Sequence, residues 1–164
     1  MRRILRRREL VQDDWRYWGE DGVGQTPLIV PFAELRTNIA RWRAYSGPLG
    51  VRLSPADAVE DLAEDVHRLS LIAAEFPGPG DGRGFTQARL LRSRYHFKGE
   101  LRAVGAGVKQ DLLFIMSRCG FDSFELAPGQ RIDAALKALE RYSVAYQPAE
   151  PIASIRQQRY SAAG

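Results

Sequence analysis

Leu71-Ile72-Ala73-Ala74-Glu75-Phe76-Pro77-Gly78-Pro79-Gly80-Asp81-Gly82-Arg83-Gly84-Phe85-Thr86-Gln87-Ala88-Arg89 decides the fold. Leu71 to Phe76 is an apolar run of strand length, and a glycine-rich loop ends it. A helical pattern then runs from about residue 85 to 96. A strand that leaves through a glycine loop straight into a helix is the unit of a parallel α/β protein. The loop puts backbone N–H groups and a helix dipole in front of a potential anion. It also puts Asp81 and Arg83 beyond the carboxyl end of a strand, where such proteins keep their chemistry.

The same alternation extends in both directions. Leu28-Ile29-Val30 reads as a short strand ended by Pro31, and Phe32, Leu35, Ile39 and Trp42 give a helix over 32–45, stopped by Gly47-Pro48. Leu49–Leu53 is a second strand. Ser54-Pro55-Ala56-Asp57 after it has the residue types of a helix start, and Val59, Leu62, Val66 and Leu69 supply a buried stripe. Leu101–Val104 is a fourth strand, followed by a helix with Val108, Leu112, Ile115 and Cys119 on one face. Phe121–Leu126 is the fifth, and Ile132, Leu136 and Leu139 line the last helix.

Residues 1–24 are expected to form a hairpin or edge strand with a Gly-rich linker, 25–146 the α/β domain, and 147–164 a tail. The fold expected is a mostly parallel sheet of about five strands with helices on both faces. The alternative is a partial β/α barrel, completed or capped by a partner chain. Either way, strand carboxyl ends would bring Glu75, Asp81, Arg83, Gly105 and Glu125 together.

Length and composition suit one domain with a real core: 164 residues, 45% hydrophobic and 27% charged. The net charge of +4 is partly local, with Arg2, Arg3, Arg6, Arg7 and Arg8 at the N-terminus and Arg83, Arg89, Arg92 and Arg94 in the middle. No aromatic–basic module accompanies the N-terminal cluster, which reads as a solvated edge, so nucleic acid is not an expected partner. No run approaches the ~18 apolar residues of a membrane helix, and no secretory signal is visible, so a membrane is not expected either. Cys119 is the one cysteine, which excludes internal disulfides and all-cysteine metal sites, and His67 and His96 are too isolated to suggest a metal. A reducing cytoplasm is the expected compartment.

Two readings stand for Asp81-Gly82-Arg83-Gly84. The glycines shape a tight turn with Asp81 capping the helix, or Gly82, Arg83 and Gly84 cradle an oxyanion with help from Arg89. The loop is neither a Walker A motif nor a dinucleotide fingerprint. Arg102 sits inside a strand and must find a partner, Glu100 or Glu75, or reach a ligand. Asp81, Glu75 and Glu125 are the candidate catalytic carboxylates. Cys119 falls on an apolar stripe and reads as a small core filler.

"DGRGFTQARLLRSRYHFKGELRAVG" (81–105) and "FIMSRCGFDSFEL" (114–126) resemble the signature of an uncharacterised bacterial family. Its members are commonly labelled oxidoreductases involved in sulfite reduction, and their genes lie beside those for assimilatory sulfite reductase. The resemblance spans about residues 25–145. One departure is Gly105-Ala106-Gly107-Val108-Lys109-Gln110-Asp111, where the family's glycine is followed by an acidic residue. The resemblance implies an accessory protein or an oxidoreductase of assimilatory sulfate or sulfite reduction. Its partner would be sulfite reductase or another sulfur-assimilation enzyme, and a homo-oligomer is compatible. The sequence carries no nicotinamide, flavin, haem or cluster motif, so the cofactor is unassigned. A small non-redox α/β enzyme acting on an anionic metabolite, or a purely structural adaptor, are the rival readings.

Overall fold

Apolar runs alternate with helical segments to build one curled sheet, seen in a computed structural model that describes residues 2–20 and 27–141. The strands are β1 (Arg3–Arg6), β2 (Glu9–Gln12), β3 (Arg16–Tyr17), β4 (Leu28–Pro31), β5 (Leu49–Leu53), β6 (Leu71–Glu75), β7 (Glu100–Val104) and β8 (Ser123–Phe124). The α-helices are α1 (Phe32–Thr37), α2 (Ile39–Arg43), α3 (Arg83–Ser93), α4 (Leu113–Arg118) and α5 (Ile132–Arg141). The strands lie in the order β2-β1-β8-β7-β6-β5-β4-β3. Neighbours from β3 to β8 are parallel, while β1 is antiparallel to both β8 and β2.

This order corrects two expectations. The sheet has eight strands, not about five, because residues 3–17 add a hairpin at one edge and β3 at the other. From β3 to β8 chain order and spatial order coincide, so each crossover steps one strand in the same direction. Right-handed crossovers then put every described helix on one face, and no reversal of winding among the described strands puts helices on the other. Buried helix residues such as Phe32, Leu35, Ala88, Leu91, Met116 and Leu139 join one core with Val30, Val51, Ile72, Ala74, Leu101 and Phe124. The opposite face holds Ile29, Leu71, Ala73 and Val104, against which the partly buried Trp15 and Tyr17 pack. The three-layer sandwich with helices on both faces is therefore replaced by a singly wound half-barrel.

The curl follows from chain length. Gln12 ends β2 at one edge and Arg16 begins β3 at the other, with only Asp13, Asp14 and Trp15 between them. A flat sheet would separate these edges by ~34 Å, at ~4.8 Å per strand. The link of four Cα steps reaches ~15 Å at most. The edges must bend toward each other across the helix-free face, carrying residues 13–17 over it.

Three local expectations change as well. The helix over 32–45 breaks at Asn38 (φ −120°, ψ 39°) into α1 and α2, yet Phe32, Leu35 and Trp42 stay buried. The helix expected after Ser54-Pro55-Ala56-Asp57 is two 3-10 turns, Val59–Leu62 and Val66–Arg68. Gln87 of α3 donates its amide to the carbonyls of Ser54 (2.8 Å) and Asp57 (3.0 Å), and Ala58 is extended, so no α-helical ladder starts there. Val59, Leu62, Val66 and Leu69 are buried all the same. Finally, α4 begins at Leu113 and buries Leu113 and Met116, leaving Ile115 47% exposed and Cys119 half-buried. Residues 112–116 are apolar all round, so spacing alone could not set the phase of that helix. The tail over 147–164 and most of the linker lie outside the described residues.

Candidate functional site

Strand alternation decides which side chains enter the helix-free face. While Ile72 and Ala74 of β6 face the helices, Glu75 shares the other face with Leu71 and Ala73. The same alternation sends in Arg52 from β5, Glu100 and Arg102 from β7, Ser123 and Glu125 at β8, and Tyr17 from β3. Because β1 runs antiparallel to β8, Arg2 at its start reaches the carboxyl ends of the parallel strands.

At those ends the Tyr17 hydroxyl donates to the Glu125 carboxylate (2.8 Å). The Arg2 guanidinium lies 4.5 Å from the Tyr17 ring centre and 4.0 Å from Glu125, and the Arg52 guanidinium lies 5.5 Å from the same ring. Arg52 also pairs with Glu75 (3.3 Å). Deeper in, Arg102 is fully buried and donates to Asp13 (2.9 Å) and Glu100 (2.9 Å). Ser123 donates to Glu100 (2.6 Å), and Arg2 donates to Asp13 (2.8 Å). One network thus runs from Glu100 through Arg102, Asp13 and Arg2 to Glu125 and Tyr17. Its partners come from both ends of the sequence, and the short link over residues 13–15 brings them together.

Burial alone would lower the pKa of Arg102, but the charges and hydrogen bonds of Asp13 and Glu100 hold it above its ordinary value. Arg2 is held up in the same way by Asp13 and Glu125. The Tyr17 phenol is pushed well above its ordinary 10.0, first by burial and then by the neighbouring Glu125 charge, despite the opposing pull of Arg102 and Arg2. The stability carried by the neutral phenol is therefore complete below about pH 10 and lost as pH rises beyond it. Thermal unfolding from pH 8 to 11 should show a steeper alkaline loss in the wild type than in Tyr17→Phe. Superimposable profiles would contradict this placement of Tyr17.

The family model described as "Bacterial protein of unknown function (DUF934)" matches residues 50–153. The chain belongs to this family. No curated protein matches it. In this DUF934 chain Arg52, Glu75, Arg102 and Glu125 fall within the matched span, whereas Arg2, Asp13 and Tyr17 precede it.

Of the residues expected at the site, the fold gathers Glu75 and Glu125 at the strand carboxyl ends with Arg102 beneath them. Arg102 pairs with Glu100 as expected, but its second partner is Asp13; Glu75 is held by Arg52 instead. Asp81 and Arg83 form a local pair: the Asp81 carboxylate accepts from the Arg83 backbone N–H (3.1 Å), Nε (3.0 Å) and guanidinium NH2 (2.6 Å). This pairing, led by the side-chain bond, holds the Asp81 carboxyl below its ordinary range. Gly82 is the residue before α3 at φ −96°, and Gly84 is required by close approach, since a Cβ there would meet the Phe76 ring at 2.5 Å. Arg89 lies six residues along α3 from Arg83, ~9 Å at helical rise, and faces a different concavity.

Tyr17, Arg2, Asp13 and Arg52 are the site residues that sequence reasoning missed. For Arg52 the signal was present: it is the polar member of an otherwise apolar strand, as Arg102 is of the run Leu101–Val104 within β7. Nothing local marked Tyr17 or Asp13, whose role depends on the closure of the sheet. Among the described residues, no group of three His, Cys, Asp or Glu side chains is arranged to hold a metal, and no helix is long and apolar enough to cross a membrane.

Proposed function

We propose that this chain is an accessory protein of assimilatory sulfate or sulfite reduction that works beside a reductase. The observation that carries this reading is the pairing of every candidate catalytic carboxylate within the chain: Asp81 with Arg83, Glu75 with Arg52, and Glu125 with Tyr17 and Arg2. Such pairing suits a scaffold that offers its surface, rather than a reactive group, to a partner. The resemblance of residues 81–105 and 114–126 to a family encoded beside sulfite reductase genes supports the pathway.

Deleting the gene should impair growth on sulfate or sulfite as sole sulfur source, with cysteine restoring it. The purified chain should not reduce sulfite with a nicotinamide or dye donor, but should raise or stabilise the activity of the partner reductase. Robust sulfite reduction by the chain alone would overturn the accessory reading.

A second reading, a small non-redox enzyme acting on an anionic metabolite, is favoured by one observation. Arg52 is partly exposed at the strand carboxyl ends beside the Tyr17–Glu125 pair. There Arg52 would hold the anion while Tyr17 and Glu125 exchange a proton with the substrate. Loss of pathway function in Tyr17→Phe, with stability and partner binding retained, would favour this reading over the first.

A further inference from the structure

At the amino ends of the parallel strands lies a second concavity of about 1190 Å³, which meets the network described above at Glu100. It is walled by the β1–β2 hairpin tip, by α3, by the link from α3 to β7, and by the end of α4. Its cationic side chains include Arg7, Arg89, Arg92, Lys98 and Arg118. The carboxylates that line it are already engaged, Glu100 by Arg102 and Asp122 by Arg92. Arg92 is also fixed by the carbonyls of Phe97, Gly99 and Gly120, which makes it part of the wall. Arg7, Arg89 and Lys98 are exposed, and none has a hydrogen-bond or ion-pair partner for its side chain among the described residues. Cations therefore outnumber carboxylates here, and Arg7, Arg89 and Lys98 have no counter-charge among the described residues.

Backbone strain marks the same place. Among the described residues, the non-glycine residues at positive φ are Arg7 (49°), Arg8 (70°) and His96 (52°). Arg7 and His96 line the cleft, and Arg8 adjoins it. The two-residue hairpin between Arg6 and Glu9 has positive φ at both turn positions, the geometry that ordinarily selects Asn-Gly. Two arginines there keep a strained turn; one of them, Arg7, lines the cleft, and strain of this kind persists at ligand sites. Phe97 and Phe121, core residues of 3% and 4% exposure, back the floor, and the volume has room for a small molecule rather than a bare ion.

We propose that this cleft binds a nucleoside phosphate, with the phosphate held by Arg7, Arg89 and Lys98 and the organic part lying toward Phe97 and Phe121. Guanidinium forks match phosphate oxygens in pairs, and several converging on one group give affinity that falls with salt. Cys119, half-buried on the cleft wall, is a built-in reporter. Burial raises its thiol pKa, and Arg89 and Arg118 pull it back down. A bound phosphate would offset that pull and cover the sulfur, so labelling should slow.

The test is titration of the full chain with AMP, ADP, inorganic phosphate, adenosine and a short single-stranded oligonucleotide, followed by calorimetry and by the rate of Cys119 labelling. AMP or ADP should bind and slow labelling, with adenosine at least about 10-fold weaker because it lacks the charge. Arg7→Ala and Arg89→Ala should each weaken nucleotide binding about 10-fold and abolish the slowing, while Arg41→Ala, on α2 and outside the cleft, should leave both unchanged. Replacing Arg7-Arg8 by Asn-Gly should raise Tm by about 2–4 °C and still weaken binding, which a merely structural hairpin would not do. Four results would overturn the proposal: no nucleotide binding at millimolar concentration; equal affinity in Arg7→Ala and Arg89→Ala; inorganic phosphate binding as tightly as AMP; or oligonucleotide binding that strengthens with length and is not displaced by AMP.

Discussion

Arg102→Met should remove about 3–5 kcal/mol of folding stability, the usual penalty for deleting one partner of a buried ion network. The guanidinium is fully buried and is shared between Asp13, whose side chain is also fully buried, and Glu100. Without it two carboxylates would face each other in a dry site, with Arg2 left to compensate Asp13 alone. Urea unfolding with an unchanged m-value is the measurement. A loss below about 1 kcal/mol, the scale of an exposed pair, would mean that Arg102 is not the keystone of the network. Adding Asp13→Asn and Glu100→Gln to Arg102→Met should recover much of the loss, because the buried charges then leave together. The same variants separate the two roles open to Arg102 in the sequence. A structural cation costs stability when removed, whereas a ligand contact costs affinity.

Gly105→Ala should cost about 2–5 kcal/mol, the sum of left-handed backbone strain and overpacking against a backbone atom. Gly105 has φ +107°, and a Cβ there would lie 2.5 Å from the Phe76 carbonyl oxygen. That carbonyl cannot swing aside, because it accepts from the Gly107 N–H (2.7 Å), while the Phe76 N–H donates to Val104 (2.7 Å). The strain therefore passes into β6 and β7, which carry Glu75 and Arg102. A loss of less than about 1 kcal/mol would show that the β7–α4 loop is freer than this geometry allows. By comparison, an alanine at Gly129 has open space within 4 Å and should cost only the penalty of its positive φ (+81°).

Much of this architecture is legible in the order of residues. The apolar runs at 28–30, 49–53, 71–76 and 101–104 are strands because each is too short for a helix and is bounded by turn residues. A helix over about 85–96 is expected after the glycine turn, and α3 forms there with its bounds shifted to Arg83–Ser93. Glu75 and Glu125 were placed at strand carboxyl ends from their position in each run, and they share one mouth. Arg102 inside an apolar strand demanded a counter-charge, and Glu100, two residues away, supplies one.

The rest depended on long-range closure. Whether helices cover one face or two depends on strand order, and no local pattern encodes order. Ser54-Pro55-Ala56-Asp57 has the chemistry of a helix start, but Gln87, thirty-three residues away from Ser54, takes the carbonyls that an α-helix would need. Asp13 and Tyr17 look like ordinary residues near an N-terminal hairpin. They become the partners of Arg102 and Glu125, 89 and 108 residues away, only because a three-residue link pulls opposite edges of the sheet together. The sequence by itself determined which apolar runs become strands and which positions are apolar, because those follow from short-range periodicity and turn chemistry. The tertiary structure alone decided which charges distant in sequence meet, because their separation in space is set by the curl of the whole sheet.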